Sequence, residues 1–458
     1  MTFNKTMIAA FIGSLGVGPA FAGEQITIGQ NSPAQLIVPQ DGQIDKVVFD
    51  TRNRDVNHRI SIGSIDNPIA NLNIAGGLDR ENNLNNSEVG GGKVLLDIYA
   101  SNATLGTHGI GLNLTRTITI PGSSESATIK GSEFNFYVDT LTSNAGTEPG
   151  DYSPHKFIGL SVGSESTVKV KATGAVQINS SSNGSLYAEE KSTAKINAGS
   201  IALSANSDNT SFATVVTATS DGNIDLQSDS DISIQNHYSR GGTAITVNDS
   251  GQVSMLAKNA ISVLGSESQA ALMLNQNRNG SFNSQNSAIT LTANNIDLHG
   301  YVESSVLDRK DTNGIFLNAN ESLSIVGNNT DGAICAKKNS TLGFKAGTLN
   351  IENLNSESRS SAVRLEKNSR LQTTLGAGQS TIKGVNGIYT YNGSPQLTIL
   401  GNAEGTSSLK VQGTWNGIVG IDGAITTNDV SLDFDVTREG NLPAYSSWGI
   451  NEIGRAHV

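Results

Sequence analysis

The sequence predicts an all-β chain wound as a right-handed, three-faced parallel β-helix, a solenoid with an N-terminal cap. Three observations predict it. The first is an apolar tetrapeptide that recurs through the chain. It reads Ala213-Thr214-Val215-Val216, Ala244-Ile245-Thr246-Val247, Ala271-Leu272-Met273-Leu274 and Gly314-Ile315-Phe316-Leu317, then Ala333-Ile334-Cys335-Ala336 and Ala362-Val363-Arg364-Leu365. Gly387-Ile388-Tyr389-Thr390, Gly417-Ile418-Val419-Gly420 and a final Gly449-Ile450 complete the series. The eight steps from residue 213 to residue 449 average 29.5 residues and range from 19 to 43. Periods of this size mark stacked repeats rather than one globular core.

The second observation is that each repeat holds three short alternating segments. After Ala244–Val247 come Val253–Ala257 and Ile261–Leu264, with Asn, Asp, Ser or Gly at every break. Period-two alternation places Ile, Leu, Val and Ala inside and Ser, Thr, Asn and Asp outside. Three strands per turn, each stacked on its equivalent in the next turn, make a three-faced parallel solenoid. A β-sandwich also alternates, but it does not group strands in threes inside a sequence repeat. The third observation is composition. Of 458 residues 50 are Gly, only 16% are charged and 5% are aromatic, which suits a narrow core one rung thick.

Taken in order, residues 1–22 read as a secretory leader. Lys5 supplies the n-region charge, Met7 to Val17 is mostly apolar, and Ala20-Phe21-Ala22 before Gly23 is a small-x-small cleavage site. The apolar run is too short to span a bilayer. Residues 23–154 are expected to form the cap and irregular rungs, with strands at Ile26–Ile28, Val47–Phe49, Ile60–Ile62, Val94–Ile98 and Ile118–Ile120. Asp79 to Gly92 and Thr142 to Pro154 read as protruding loops. Residues 155–451 are the regular repeats. Residues 452–458 are set apart, because Ile453-Gly454-Arg455-Ala456-His457-Val458 breaks the pattern and reads as a translated sequencing adapter, an assembly scar.

Formal charge is −11, and an acidic surface poor in Lys and Arg lacks the footprint of nucleic-acid binding. The single cysteine, Cys335, cannot form an internal disulfide and reads as a small core residue. Gly159-Leu160-Ser161-Val162-Gly163 matches G-x-S-x-G, yet no helix follows it, as a nucleophile elbow requires. Gly90-Gly91-Gly92-Lys93 lacks the remaining residues of a phosphate loop. The six histidines, at 58, 108, 155, 237, 299 and 457, show no zinc spacing. No cofactor is implied.

Asp221, Asp225, Asp229 and Asp231 form the densest carboxylate group. If Asp229 and Asp231 alternate on one strand they share a face and are the candidate pair for Ca²⁺ or for acid/base work. The ordinary reading, a solvated rim on an acidic protein, is favoured. Stacked Asn, Ser and Thr could bind glycans by many weak hydrogen bonds, with Tyr389, Tyr391 or Trp415 as stacking platforms.

An exported chain with one Cys and units such as Asn386-Gly387-Ile388-Tyr389, Trp415-Asn416-Gly417-Ile418 and Trp448-Gly449-Ile450 resembles the passenger domains of bacterial autotransporters over roughly residues 100–451. The resemblance implies export through the outer membrane by the protein's own C-terminal β-barrel and display on, or release from, the cell surface. The chain departs from the family in showing no barrel-type series of alternating strands at its end, which is read as truncation. Cysteine scarcity suits a chain that crosses a narrow channel extended. Two functions are then expected. The favoured one is a non-catalytic, adhesin-like passenger that binds host or biofilm glycans or surface proteins. The alternative is a secreted β-helix polysaccharide lyase or hydrolase, against which stands the lack of paired Asp-Asp, Gly-His-Gly or Arg-Ile-Lys signatures. Fold alone licenses neither.

Overall fold

In the computed structural model the chain is all-β, a parallel β-solenoid of about 10 turns with no helix among the described residues. The structure describes residues 24–437 and 450–451, except 37, 39–42, 51–54, 57, 80–91, 107–108, 113–117, 120–125, 128–130, 147–157, 164, 182–183, 207–212, 238–241, 266–268, 276–286, 307–311, 392 and 421–422. Among the described residues the ladders are parallel, with one exception, the short antiparallel pair Ile118–Thr119 and Ser126–Ala127. A sandwich would have shown the reverse balance. Two compact units divide the chain, Met1–Ser228 and Asp229–Val458.

In the N-terminal unit each turn contributes one strand to each of three faces. Face 1 stacks Ile110–Leu112, Leu160–Val162, Leu186–Ala188 and Ala213–Ala218. Face 2 carries Arg59–Ile62, the first half of Leu95–Leu105, the first half of Glu133–Ala145, then Thr167–Ala172, Thr193–Ala198 and Asn223–Ser228. Face 3 runs from Glu24–Gly29 through Gln43–Asp50 and Ile69–Ile74 to the second halves of the two long strands, then Ala175–Ser180 and Ser200–Ala205. Strand Glu133–Ala145 pairs in register with strands on both sides of it in sequence, so the ladders run through the region where the sequence pattern changes. It also corrects the loop expected from Thr142. The strand continues to Ala145, and Ser143 is buried and donates to the Gly159 carbonyl at 2.8 Å.

The alternation decides burial. Val168, Val170, Ala194, Ile196, Ile224 and Leu226 lie inside at successive turns, while the intervening Lys169, Lys195 and Asp225 face out. Each buried Val or Ile contributes about 1.5–3 kcal/mol. Phe49 and Phe134 stack in the core with ring centroids 5.5 Å apart.

The C-terminal unit repeats the arrangement and shows where the sequence repeat had slipped. Face 1 places Ile245, Leu272, Val302, Ile334, Val363, Ile388, Ile418 and Ile450 in one register. Gly314-Ile315-Phe316-Leu317 is not in that series, because it pairs with Ala288–Leu291 on face 2. The strand that belongs there is Tyr301–Ser305, in which Val302 is buried and Glu303 faces out. With this correction the steps shrink to between 25 residues (363 to 388) and 32 (302 to 334). The apolar pattern missed Tyr301-Val302-Glu303-Ser304 because only one of its four residues is a large buried aliphatic.

Two corner devices recur. The residue before the inward aliphatic of face 1 is Ala or Gly at most turns (Tyr301, Ser185 and Val215 are the exceptions), because backbone and core approach it closely. A methyl group on Gly387 would overlap Val411 Cγ1 and the Gly417 carbonyl, and one on Gly159 would overlap Ile178 Cγ2. Between faces 1 and 2 the chain turns through paired residues of positive φ, Glu190-Lys191 and Ser220-Asp221 in the first unit and Asp249-Ser250 and Lys367-Asn368 in the second. Each turn closes with a backbone bond such as Ser192 N–H to the Glu189 carbonyl, 3.0 Å, the geometry of a type I′ turn. The next residue is small and buried. Ser192 accepts from Glu189 N–H at 3.0 Å and donates to the Val162 carbonyl at 2.8 Å, tying one turn to the one before.

Candidate functional site

Face 1 of the C-terminal unit carries the densest arrangement of charged and aromatic side chains around the residues singled out from sequence. Register aligns Glu303, Cys335, Arg364 and Tyr389 in one column. Their neighbours Ile334, Ala336, Val363, Leu365 and Ile388 are buried in the bore, so the column points outward. Arg364 lies across it. Its Nη1 bonds Asp331 Oδ1 at 2.9 Å, its Nε meets Glu366 Oε1 at 2.6 Å, and its guanidinium carbon sits 5.7 Å from the Tyr389 ring centroid. Lys337 bridges Glu303 at 3.0 Å and Asp331 at 3.6 Å. Burial opposes the Lys337 charge, but the Glu303 hydrogen bond and the surrounding carboxylates outweigh it and raise its pKa.

Cys335 lies beneath this layer. It is buried and its Sγ donates to the Gly332 carbonyl at 3.4 Å. Desolvation first, then the charges of Glu303 and Asp331, push its thiol far above the ordinary range. It is therefore a protonated thiol at neutral pH and a poor nucleophile. The sequence reading made it a core residue. The structure buries it as expected and places it in register with outward Glu303 and Arg364, where the charges of Glu303, Asp331, Lys337 and Arg364 act on it.

Tyr389 and Tyr391 stand on the same side of one strand, ring centroids 6.0 Å apart and 21° from parallel. Desolvation is the main cause of the raised Tyr389 pKa. Trp415 does not join them. It lies half-buried at the corner between faces 3 and 1 in the next turn, where the register breaks between the Gly384–Gly413 and Asn386–Asn416 pairs. Two of the three aromatic candidates thus form one surface.

Asp229 and Asp231 lie in the turn between Asn223–Ser228 and Ile232–Asn236, not on a strand, so strand alternation does not align them. Asp229 pairs with Lys258 Nζ at 2.6 Å. Asp231 accepts from Ala260 N–H at 3.1 Å and from Ser230 Oγ at 2.8 Å. No group of three or more metal-ligating side chains occurs among the described residues. Ser161 lies mid-strand and buried, without the strand-to-helix turn of a nucleophile elbow. Ala20, Ala22 and Gly23 fall outside the described residues.

A second outward surface went unnoticed in the sequence. On face 2 of the N-terminal unit Arg59 bonds Asp97 at 2.6 Å and reaches Glu133 at 3.5 Å, Lys169 bonds Glu133 at 3.2 Å, and Asn135 donates to both carboxylates at 2.8 and 3.0 Å. Beside this network Tyr99 and Tyr137 stack, centroids 4.8 Å apart and 9° from parallel. Tyr99 and Tyr137 are 38 residues apart in sequence, as are Arg59 and Asp97, and only the register brings them together. Comparison with protein-family models, curated proteins and solved structures returns no match for this chain.

Proposed function

We propose that the chain is the exported, surface-displayed passenger of an autotransporter, with an adhesin-like role that binds host or biofilm glycans or surface proteins along a solenoid without catalysis. The observation that carries the reading is the ordered outer surface of a long parallel solenoid. Equivalent positions on successive turns are tied side chain to side chain, as in Asn102 Nδ2 to Asn71 Oδ1 at 3.0 Å and Thr140 Oγ1 to Asn102 Oδ1 at 2.8 Å. Such a surface aligns polar side chains on successive rungs, which suits many weak contacts to an extended partner. The leader-like N-terminus and the single cysteine support export. Tyr389 and Tyr391, backed by Arg364, are the platform this reading assigns to ligand.

The test is binding of the purified chain to immobilised glycans and to whole cells, compared with Tyr389→Ala/Tyr391→Ala. Binding that the double variant weakens by about tenfold supports the reading. Release of unsaturated sugars from polysaccharide, with no stable binding, establishes the lyase in its place. The export half has its own test. Genomic reading past codon 451 that runs through further repeats into a β-barrel supports the passenger, and a stop codon there counts against it.

A further inference from the structure

We propose that face 2 of the N-terminal unit is a docking surface for a carboxylated polysaccharide, a polymer bearing uronate groups at regular intervals. The inference rests on the glycan-binding reading above and assigns it a ligand class and a second surface. Register places Tyr99, Tyr137 and Lys171 in one outward column and Asp97, Asn135, Lys169, Lys195 and Asp225 in the next. In the ion pairs of this face the cation is the outer partner. Side-chain exposure is 41% for Arg59 against 11% for Asp97, 52% for Lys169 against 26% for Glu133, and 39% for Lys195 against 22% for Asp225. An approaching ligand therefore meets guanidinium and ammonium tips, with the carboxylates beneath them. Lys171 is exposed and has no carboxylate partner among the described residues. Asp139, at the end of the face, accepts the Thr173 hydroxyl at 2.8 Å.

On a chain of formal charge −11 this face is neutral, four cations (Arg59, Lys169, Lys171, Lys195) against four carboxylates (Asp97, Glu133, Asp139, Asp225), and with the cations of its ion pairs outermost it favours an anion. The tyrosines point the same way. Each ring covers one face of the other, so the pair offers ring edges and phenolic hydroxyls outward, and Tyr137 is 40% exposed. Ring edges are the positive side of the aromatic quadrupole and hydroxyls are donors, which suits a carboxylate better than an apolar sugar face. The rungs repeat about every 4.8 Å, so Lys169 and Lys195 on adjacent rungs, with Lys171 beside them, can meet carboxylates on successive sugars. A densely sulfated polymer would meet repulsion from the rest of the acidic chain.

The experiment measures binding of the full chain to polygalacturonate, with neutral dextran and dextran sulfate in parallel, over a range of salt. We expect polygalacturonate to bind, to weaken steeply with salt, and to outcompete both controls. Lys169→Gln/Lys171→Gln should weaken it on the order of tenfold. Lys171→Gln alone, at an exposed position with no carboxylate partner among the described residues, should weaken it by a smaller factor with the circular dichroism spectrum unchanged. Equal binding of neutral dextran, preference for dextran sulfate, or unaltered affinity in both variants overturns the proposal. If cells or neutral glycans bind through Tyr389 and Tyr391 while polygalacturonate does not, this inference alone falls. If nothing binds, both readings fall.

Discussion

Face 2 of the N-terminal unit and face 1 of the C-terminal unit are both built on parallel rungs, yet they arrange charge differently. In the first, cations stand outside their carboxylate partners. In the second the order is mixed, since Arg364 at 22% exposure lies beneath Asp331 at 40% but outside Glu366 at 17%, and Lys337 at 34% lies outside Glu303 at 20%. The backbone does not distinguish the two surfaces. What differs is which side chain follows which at the same position one turn later, and that decides whether a column offers charge to solvent or locks it into a cover. A solenoid thus separates stability, set by the inward residues, from surface chemistry, set by the outward ones.

The largest effect tests the part the two units share. Gly159→Ala and Gly387→Ala should each destabilise by about 2–3 kcal/mol in denaturant titration, since the new methyl meets core side chain and backbone. If one glycine tolerates alanine and the other does not, the two corners are not equivalent.

Next comes the difference between the surfaces. Arg364→Ala should cost about 2 kcal/mol, because it leaves Asp331 and Glu366 without their partner, and it should speed modification of Cys335 by a thiol reagent. Arg364→Lys should restore little, as an ammonium cannot span both carboxylates and the Tyr389 ring. Arg59→Ala, at an outer position, should cost under about 1 kcal/mol. Equal losses at the two arginines would erase the distinction drawn here.

The smallest effect is pH dependence at Glu133. Burial works against its charge, but hydrogen bonds from Asn135 and Lys169 and the charges of Lys169 and Arg59 hold its carboxyl below the ordinary 4.5. The folded value lies below the unfolded one, so its contribution is present above about pH 4.5 and fades as pH falls through the folded value. Glu133→Gln should therefore reduce the acid sensitivity of unfolding by a few tenths of a kcal/mol and leave stability above neutral pH slightly lower. An unchanged acid limb would mean that Glu133 has no net role.

Much of the fold was legible because strand alternation and corner chemistry are local. Ile224, Leu226, Ile232 and Ile234 announce their burial by spacing alone, and Gly387 before Ile388 announces a tight corner. The slip at Gly314-Ile315-Phe316-Leu317 shows the limit of that logic. An apolar tetrapeptide tells which residues go inside but not which face they join, and Tyr301-Val302-Glu303-Ser304 holds its place through pairing with Ala270–Asn275 and Ile334–Ala336.

The candidate site was half legible. Tyr389 and Tyr391 are two residues apart, so any strand puts them on one side. Arg364, Asp331 and Glu303 come from other turns, and no local signal ties them to those tyrosines. The stacked Tyr99 and Tyr137 were invisible for the same reason, although each sits in a plainly alternating segment.

The sequence by itself determined that this chain is β throughout, repeats about every thirty residues, and buries small aliphatic side chains in a thin core, because period and alternation are written within a few residues of one another. Only the tertiary structure decided which outward residues become neighbours. Parallel stacking joins positions 20 to 50 residues apart, and the varying loop lengths between rungs hide that offset from any fixed spacing. A change of one residue in the pairing would send every side chain of a strand to the opposite side, so the surface chemistry of this protein is a property of its register.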